Sequence, residues 1–129
     1  MNKSILVVLF FLCITASHSQ VIFKVEYNGD NKAVLSYLAG EKITFLDTIT
    51  SNIKSEFRFN LNGNHPGIYR LGFNNNQSLQ SRAQTRWIDF VYDNEEIEIE
   101  IDLNNISDSI KVLKSESNRI YYSFIKLNK

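Results

Sequence analysis

Seven carboxylates crowd the stretch from Asp89 to Asp102, namely Asp89, Asp93, Glu95, Glu96, Glu98, Glu100 and Asp102, with no Lys or Arg between Arg86 and Lys111. Oxygen ligands of this kind hold calcium, and Asp93, Asn94, Glu95 and Glu96 are the group that could supply them. Consecutive residues cannot all converge on one ion, and the run lacks the spaced Asp/Asn ligands and the Gly of an EF-hand loop. The alternation predicts a strand instead, with Ile97, Ile99 and Ile101 facing in and Glu96, Glu98, Glu100 and Asp102 facing out. Such a face is solvated, and its charges discourage edge-to-edge pairing.

His65 sits beside Pro66 in a turn cluster, while the other histidine, His18, lies near the N-terminal apolar segment. A hydrolytic triad or a zinc site needs partners of the right type around such a residue. Serines abound but none stands in a G-x-S-x-G elbow, and Cys13 is the only cysteine. His65 therefore reads as a water-exposed turn residue. A glycosidase needs one specific carboxylate pair, and nothing singles out a pair here.

Trp87 and the six tyrosines could line a sugar-binding face. Tyr27, Tyr69 and Phe73 are in phase with aliphatic neighbours and read as core. Trp87 shares a face with Asp89 and Val91, opposite Ile88, Phe90 and Tyr92, and the pattern does not assign its burial. Asn76-Gln77-Ser78 and Asn105-Ile106-Ser107 match the N-glycosylation acceptor pattern, which Asn-rich text produces by chance. The expected catalytic, cofactor-binding and metal-ligating residues are accordingly none, and no cofactor is expected.

These residues must be positioned by the part of the chain that folds. Met1-Asn2-Lys3, the apolar run Ile5 to Thr15 and the small residues Ala16, Ser17 and Ser19 read as an export signal over residues 1–19. An apolar helix of that length rises about 16 Å, roughly half the hydrocarbon thickness, so no stable membrane insertion is expected after cleavage. Leu12 precedes Cys13 where a lipoprotein signal has a small residue, which argues against lipidation.

Cleavage leaves 110 residues without a cysteine, hence no disulfide, no thiol catalysis and no thiolate ligand. The 14 basic and 14 acidic residues balance, and without Lys3 the count is 13 against 14, a net charge of −1. No basic field exists to attract nucleic acid or an anionic membrane. With 43% hydrophobic and 12% aromatic residues, the composition is that of a folding chain, large enough for one domain. The signal implies an exported, periplasmic or envelope-associated product.

Period-two patterning predicts strands at Val21–Tyr27, Ala33–Leu38, Ile43–Thr50, Ile53–Leu61, Ile68–Phe73, Trp87–Tyr92, Glu96–Asp102 and Ser109–Leu113. Asn28-Gly29-Asp30-Asn31 and Asn62 to Gly67 supply turns, and polar Asn74 to Gln84 reads as an exposed loop. Trp87 to Tyr92, apolar on both faces except for Asp89, reads as a central strand. Phe57, Phe59, Tyr69 and Leu71 are the expected core.

Beyond residue 115 the pattern changes. Ile120, Tyr121, Phe124, Ile125 and Leu127 recur at helical spacing, with Ser115 or Ser117 as cap, predicting a helix of about ten residues. The expected architecture is an all-β antiparallel sandwich of about eight short strands, residues 20–114, with a C-terminal helix over 115–129. So short a helix needs a surface, and any uncovered part of its stripe predicts self-association through it.

Several segments, taken in order, resemble one family: Phe23-Lys24-Val25, Leu46-Asp47-Thr48, Glu56-Phe57-Arg58-Phe59 and Pro66-Gly67-Ile68-Tyr69-Arg70-Leu71, then Ile88-Asp89-Phe90-Val91, Glu96-Ile97-Glu98-Ile99 and Ser117-Asn118-Arg119-Ile120-Tyr121. Over residues 21–125 the chain resembles the N-terminal β domain of unknown function that precedes a thioredoxin-like domain in secreted Bacteroidota proteins. The resemblance implies an accessory, non-enzymatic module, with redox chemistry in a downstream domain. This chain ends at Lys129 without a cysteine pair, so that chemistry is carried over to no residue here.

The leading expectation is an exported, non-enzymatic accessory domain that positions or docks a thioredoxin-like domain or protein. The alternative is a free-standing glycan- or peptide-binding module of the cell envelope. A third, an exported hydrolase, lacks a catalytic constellation.

Overall fold

The computed structural model describes residues 19–26, 32–51, 56–73 and 86–129. Its strands are β1 (Gln20–Glu26), β2 (Lys32–Ala39), β3 (Lys42–Thr50), β4 (Glu56–Asn60), β5 (Gly67–Phe73), β6 (Arg86–Tyr92), β7 (Ile97–Asp102) and β8 (Lys111–Lys114). Two helices accompany them, α1 (Ile106–Ser109) and α2 (Glu116–Leu127). Sheet 1 has the order β4-β1-β7-β8 and sheet 2 the order β3-β2-β5-β6. This is the all-β sandwich with a C-terminal helix that the alternation predicts. Its pairs are antiparallel except β1 with β7, which run parallel. No tight turn can join parallel neighbours. The chain between them builds sheet 2 and β4 before it returns.

The alternating residues place the core between the sheets. Val21, Phe23 and Val25 of β1, Phe57 of β4 and Ile97, Ile99 and Ile101 of β7 meet Ala33 and Leu35 of β2, Tyr69, Leu71 and Phe73 of β5 and Ile88, Phe90 and Tyr92 of β6. Aromatic edges lock the layers together: Phe23 meets Phe90 at 5.1 Å between ring centroids, and Phe57 meets Phe73 at 5.4 Å. Gly67 is required where it stands, because a Cβ there would lie 3.0 Å from Cε2 of Tyr37. The buried Tyr69 hydroxyl donates to the backbone oxygen of His65 at 2.6 Å, which ties the turn to the core.

Of the four expected core residues, Phe57, Tyr69 and Leu71 are buried, whereas Phe59 is only partly so. Phe59 lies on β4, an edge of sheet 1 with no strand beyond to cover it. β6 is not a central strand but an edge of sheet 2, and its second apolar side is explained by α2 packing there. The last strand is shifted. Residues 106–109 form α1, because the Ser109 hydroxyl accepts from Asp102 N at 2.8 Å and donates to Asp102 O at 3.2 Å, closing a turn before β8 begins.

The acidic face of β7 protects no edge, since β7 lies between β1 and β8. Several expectations fall outside the described residues: nearly all of the export signal with Cys13, Tyr27 and its turn, the start of the fourth strand at Ile53, and the loop from Asn74 to Gln84 with its Asn76 acceptor pattern. Among the described residues no helix is long and apolar enough to cross a membrane.

Candidate docking surface

The outer face of sheet 1 is charged and internally matched. Register places Glu56, Lys24, Glu100 and Lys111 in one row across its four strands, with signs alternating. Lys24 Nζ lies 2.9 Å from Glu98 Oε1, and Lys114 lies 3.7 Å from Glu96 and 3.8 Å from Glu98. The hydrogen bond to Glu98 raises the Lys24 pKa, and the same bond holds the Glu98 carboxyl below its ordinary value. The acids therefore serve a solvated, paired surface. Among the described residues no cluster of three His, Cys, Asp or Glu side chains could hold a metal ion. His65 is exposed in its turn, and Asn105 is the exposed residue preceding α1.

One carboxylate of the run leaves that face. Glu95 follows Asn94, whose left-handed φ of 54° turns the chain after β6. Its Oε1 accepts from the Ser115 hydroxyl at 2.6 Å and from Ser117 N at 3.0 Å, which caps the start of α2. Burial works against the charge, but these bonds outweigh it and hold the Glu95 carboxyl below its usual range. Ser115, the predicted N-cap, accepts from Asn118 N at 3.1 Å and has a φ of 124°, strained for a residue with a side chain.

Asn118 completes the attachment. It is fully buried; its Oδ1 accepts from Val91 N and its Nδ2 donates to Val91 O, each at 2.8 Å. The side chain thus bonds to the edge of β6 as a neighbouring strand would. One helical turn on, the Tyr122 hydroxyl donates to Asp89 O, and burial pushes its pKa far above the ordinary phenol value. Sequence patterning missed Asn118, although it shares the helix face of Tyr122 and Ile125 at i, i+4 and i+7.

Docking in this way leaves three of the five residues of the predicted stripe uncovered. Tyr121 and Ile125 are half-buried, while Ile120, Phe124 and Leu127 are 63%, 66% and 84% exposed. The outer face of sheet 2 carries more of the same. Register aligns Ile43, Leu38, Ile68 and Val91 in one row, and Phe45, Ser36, Arg70 and Asp89 in the next. Ile43, Phe45 and Ile68 are exposed.

Arg70 and Asp89 form a two-pronged ion pair at 2.6 and 2.9 Å, and the Arg70 guanidinium lies 4.8 Å from the centre of the Trp87 ring. Trp87 itself is 45% exposed. It borders a pocket of about 200 Å³ shared with Ile106, Ile110, Tyr121, Ile125 and Lys126.

No protein-family model matches the chain, and no curated protein matches it. Among solved structures it is similar to the crystal structure of (S)-allantoin synthase, at 12% sequence identity and a TM-score of 0.48, over 78% of this chain and 45% of that one. The chain thus spans less than half of that protein's length. This finding corrects the expectation that the domain is not an enzyme: the similar structure is an enzyme's, and the exclusion of enzyme activity is withdrawn. At this identity and TM-score the likeness assigns this chain no activity, substrate or site.

Proposed function

We propose that the chain is an exported docking domain that positions a partner, a thioredoxin-like domain or protein, against the outer face of sheet 2 and the adjoining ridge of α2. One observation carries the reading. The large exposed apolar side chains, Ile43, Phe45, Leu46, Ile68 and Trp87 of sheet 2 and Ile120, Phe124 and Leu127 of α2, include none from sheet 1 among the described residues. Exposed apolar side chains gathered on one side of a small domain mark an interaction surface, and the charged, self-paired opposite face does not compete for it. The test is a chemical-shift titration of the labelled protein with a purified thioredoxin-like domain. Shifts at Ile43, Phe45, Ile68 and Phe124 are expected. Shifts confined to Lys24, Glu98 and Glu100, or none at millimolar partner, would refute the proposal.

A second reading, a small-ligand module for glycans or peptides, is favoured by half-exposed Trp87 beside its pocket. Trp87 is the single tryptophan, so its fluorescence reports occupancy directly. Saccharide or peptide titrations that leave its emission unchanged exclude this reading.

A further inference from the structure

Among the described residues the sandwich has four strand edges, and three of them are either covered or short and charged. At the β6 edge, Asn118 takes up both backbone groups of Val91 and Tyr122 bonds to Asp89 O. β8 is four residues long, begins and ends with lysine, and has its Leu113 carbonyl bonded to Arg119 at 3.1 Å. β4 is five residues long and carries Glu56 and Arg58. Short strands, charges and covering helices are the devices that keep edges from pairing.

β3 is the longest of the four edge strands, and among the described residues no helix covers it. It is nine residues long, pairs with β2 alone among the described residues, and is exposed at every residue except Ile49. Between Lys42 and Thr50 its charged residues are Lys42 and Asp47, and apolar Ile43 and Phe45 stand 57% and 62% exposed on its outer face.

We infer that β3 is a self-recognition edge, and that two copies of this chain join β3 to β3 in antiparallel fashion, making one continuous eight-stranded sheet. The occupant follows from charge and face. Antiparallel pairing of identical strands in one sheet places the two-fold axis perpendicular to that sheet, so outer face continues into outer face. The bulge between Leu35 and Ser36 sets Lys42, Thr44 and Asp47 on one face and Ile43 and Phe45 on the other.

With the axis at Thr44, Ile43 stands opposite Phe45 of the second copy, and Lys42 stands opposite Asp47 of the second copy, twice by symmetry. A parallel arrangement in matching register would set lysine against lysine and aspartate against aspartate. Because the other described edges are covered or are short and charged, assembly stops at two copies instead of continuing into a fibre. The pairing borders the partner-docking face proposed above at Ile43 and Phe45, whereas Ile68 and Phe124 lie outside β3 and report that docking alone.

The test is sedimentation equilibrium of the purified protein with three variants, each checked for a cooperative melt. The native chain should sediment at twice its monomer mass. Asp47→Lys should be monomeric, Lys42→Asp with Asp47→Lys should regain the dimer, and Phe124→Ser should remain a dimer. A native monomer at millimolar concentration overturns the proposal. So does a dimer that survives Asp47→Lys, or one lost in Phe124→Ser, which assigns the contact to α2. If Asp47→Lys fails to melt cooperatively, amide exchange of the native protein decides in its place. Protection of β3 amides that rises with concentration supports the pairing, and protection independent of concentration refutes it.

Discussion

Lys24 and Ile68 both lie within strands and both point away from the core, yet they live under different rules. Lys24 is met by a carboxylate at 2.9 Å and belongs to a row whose charges alternate across all four strands. Ile68 is met across its strands by Leu38 and Val91, with exposed Ile43 at the end of the row. Both sheets contribute apolar inner faces to one core, so stability alone does not call for this difference outside. A solvated face of paired charges is worth little energetically and keeps a surface soluble. An apolar outer face costs solubility, and its retention on sheet 2 is what marks that side for contact.

Three comparisons probe this, in descending order of expected effect. The shared core comes first. Phe57→Ala in sheet 1 and Phe90→Ala in sheet 2 should each cost about 3–5 kcal/mol by denaturant unfolding. If either variant unfolds like the parent, the sheets do not share a core and the contrast between their outer faces loses its footing. Phe59→Ala should cost clearly less than Phe57→Ala, as its partial burial requires.

The helix attachment comes next. Asn118→Ala strands the Val91 N–H and C=O at a covered edge and should cost about 1–3 kcal/mol. Glu95→Gln acts on the same joint and has a pH signature. The bonds from Ser115 and Ser117 hold the folded Glu95 carboxyl below the ordinary carboxylate range, so its contribution is present above that range and fades as the pH falls through its lower folded value. The variant should therefore be less stable than the parent near neutrality and converge with it in acid. A constant difference down to the acid limit would remove Glu95 from the cap.

Smallest is the charged face. Glu98→Gln should move the melting temperature by no more than a degree or two, because its partner Lys24 is an exposed surface cation. A large drop would mean that sheet 1's outer face is structural in a way its exposure does not suggest.

The sequence made most of the fold legible wherever the signal was local. The alternation of Ile97, Ile99 and Ile101 with Glu98, Glu100 and Asp102 placed β7 and its faces correctly, and Ser115 was readable as a cap. What stayed hidden depends on distant partners. β6 looked like a central strand because both its faces are apolar, and only the bonds from Asn118, 27 residues further along, show that a helix stands where a strand was expected. The candidate surface was half legible. The stripe on α2 was visible as a stripe, but which part stays exposed depends on where Asn118 and Tyr122 anchor it. Ile43, Phe45 and Ile68 became one surface only through the register of β3, β2 and β5.

The account's central claim is that the two outer faces differ in purpose, and site-specific photo-crosslinking in producing cells tests it most directly. A photoreactive residue replaces Ile68 in one variant and Glu100 in another. The account predicts an adduct to a different protein from position 68 and none from position 100. An adduct from position 100 with none from position 68 would contradict it.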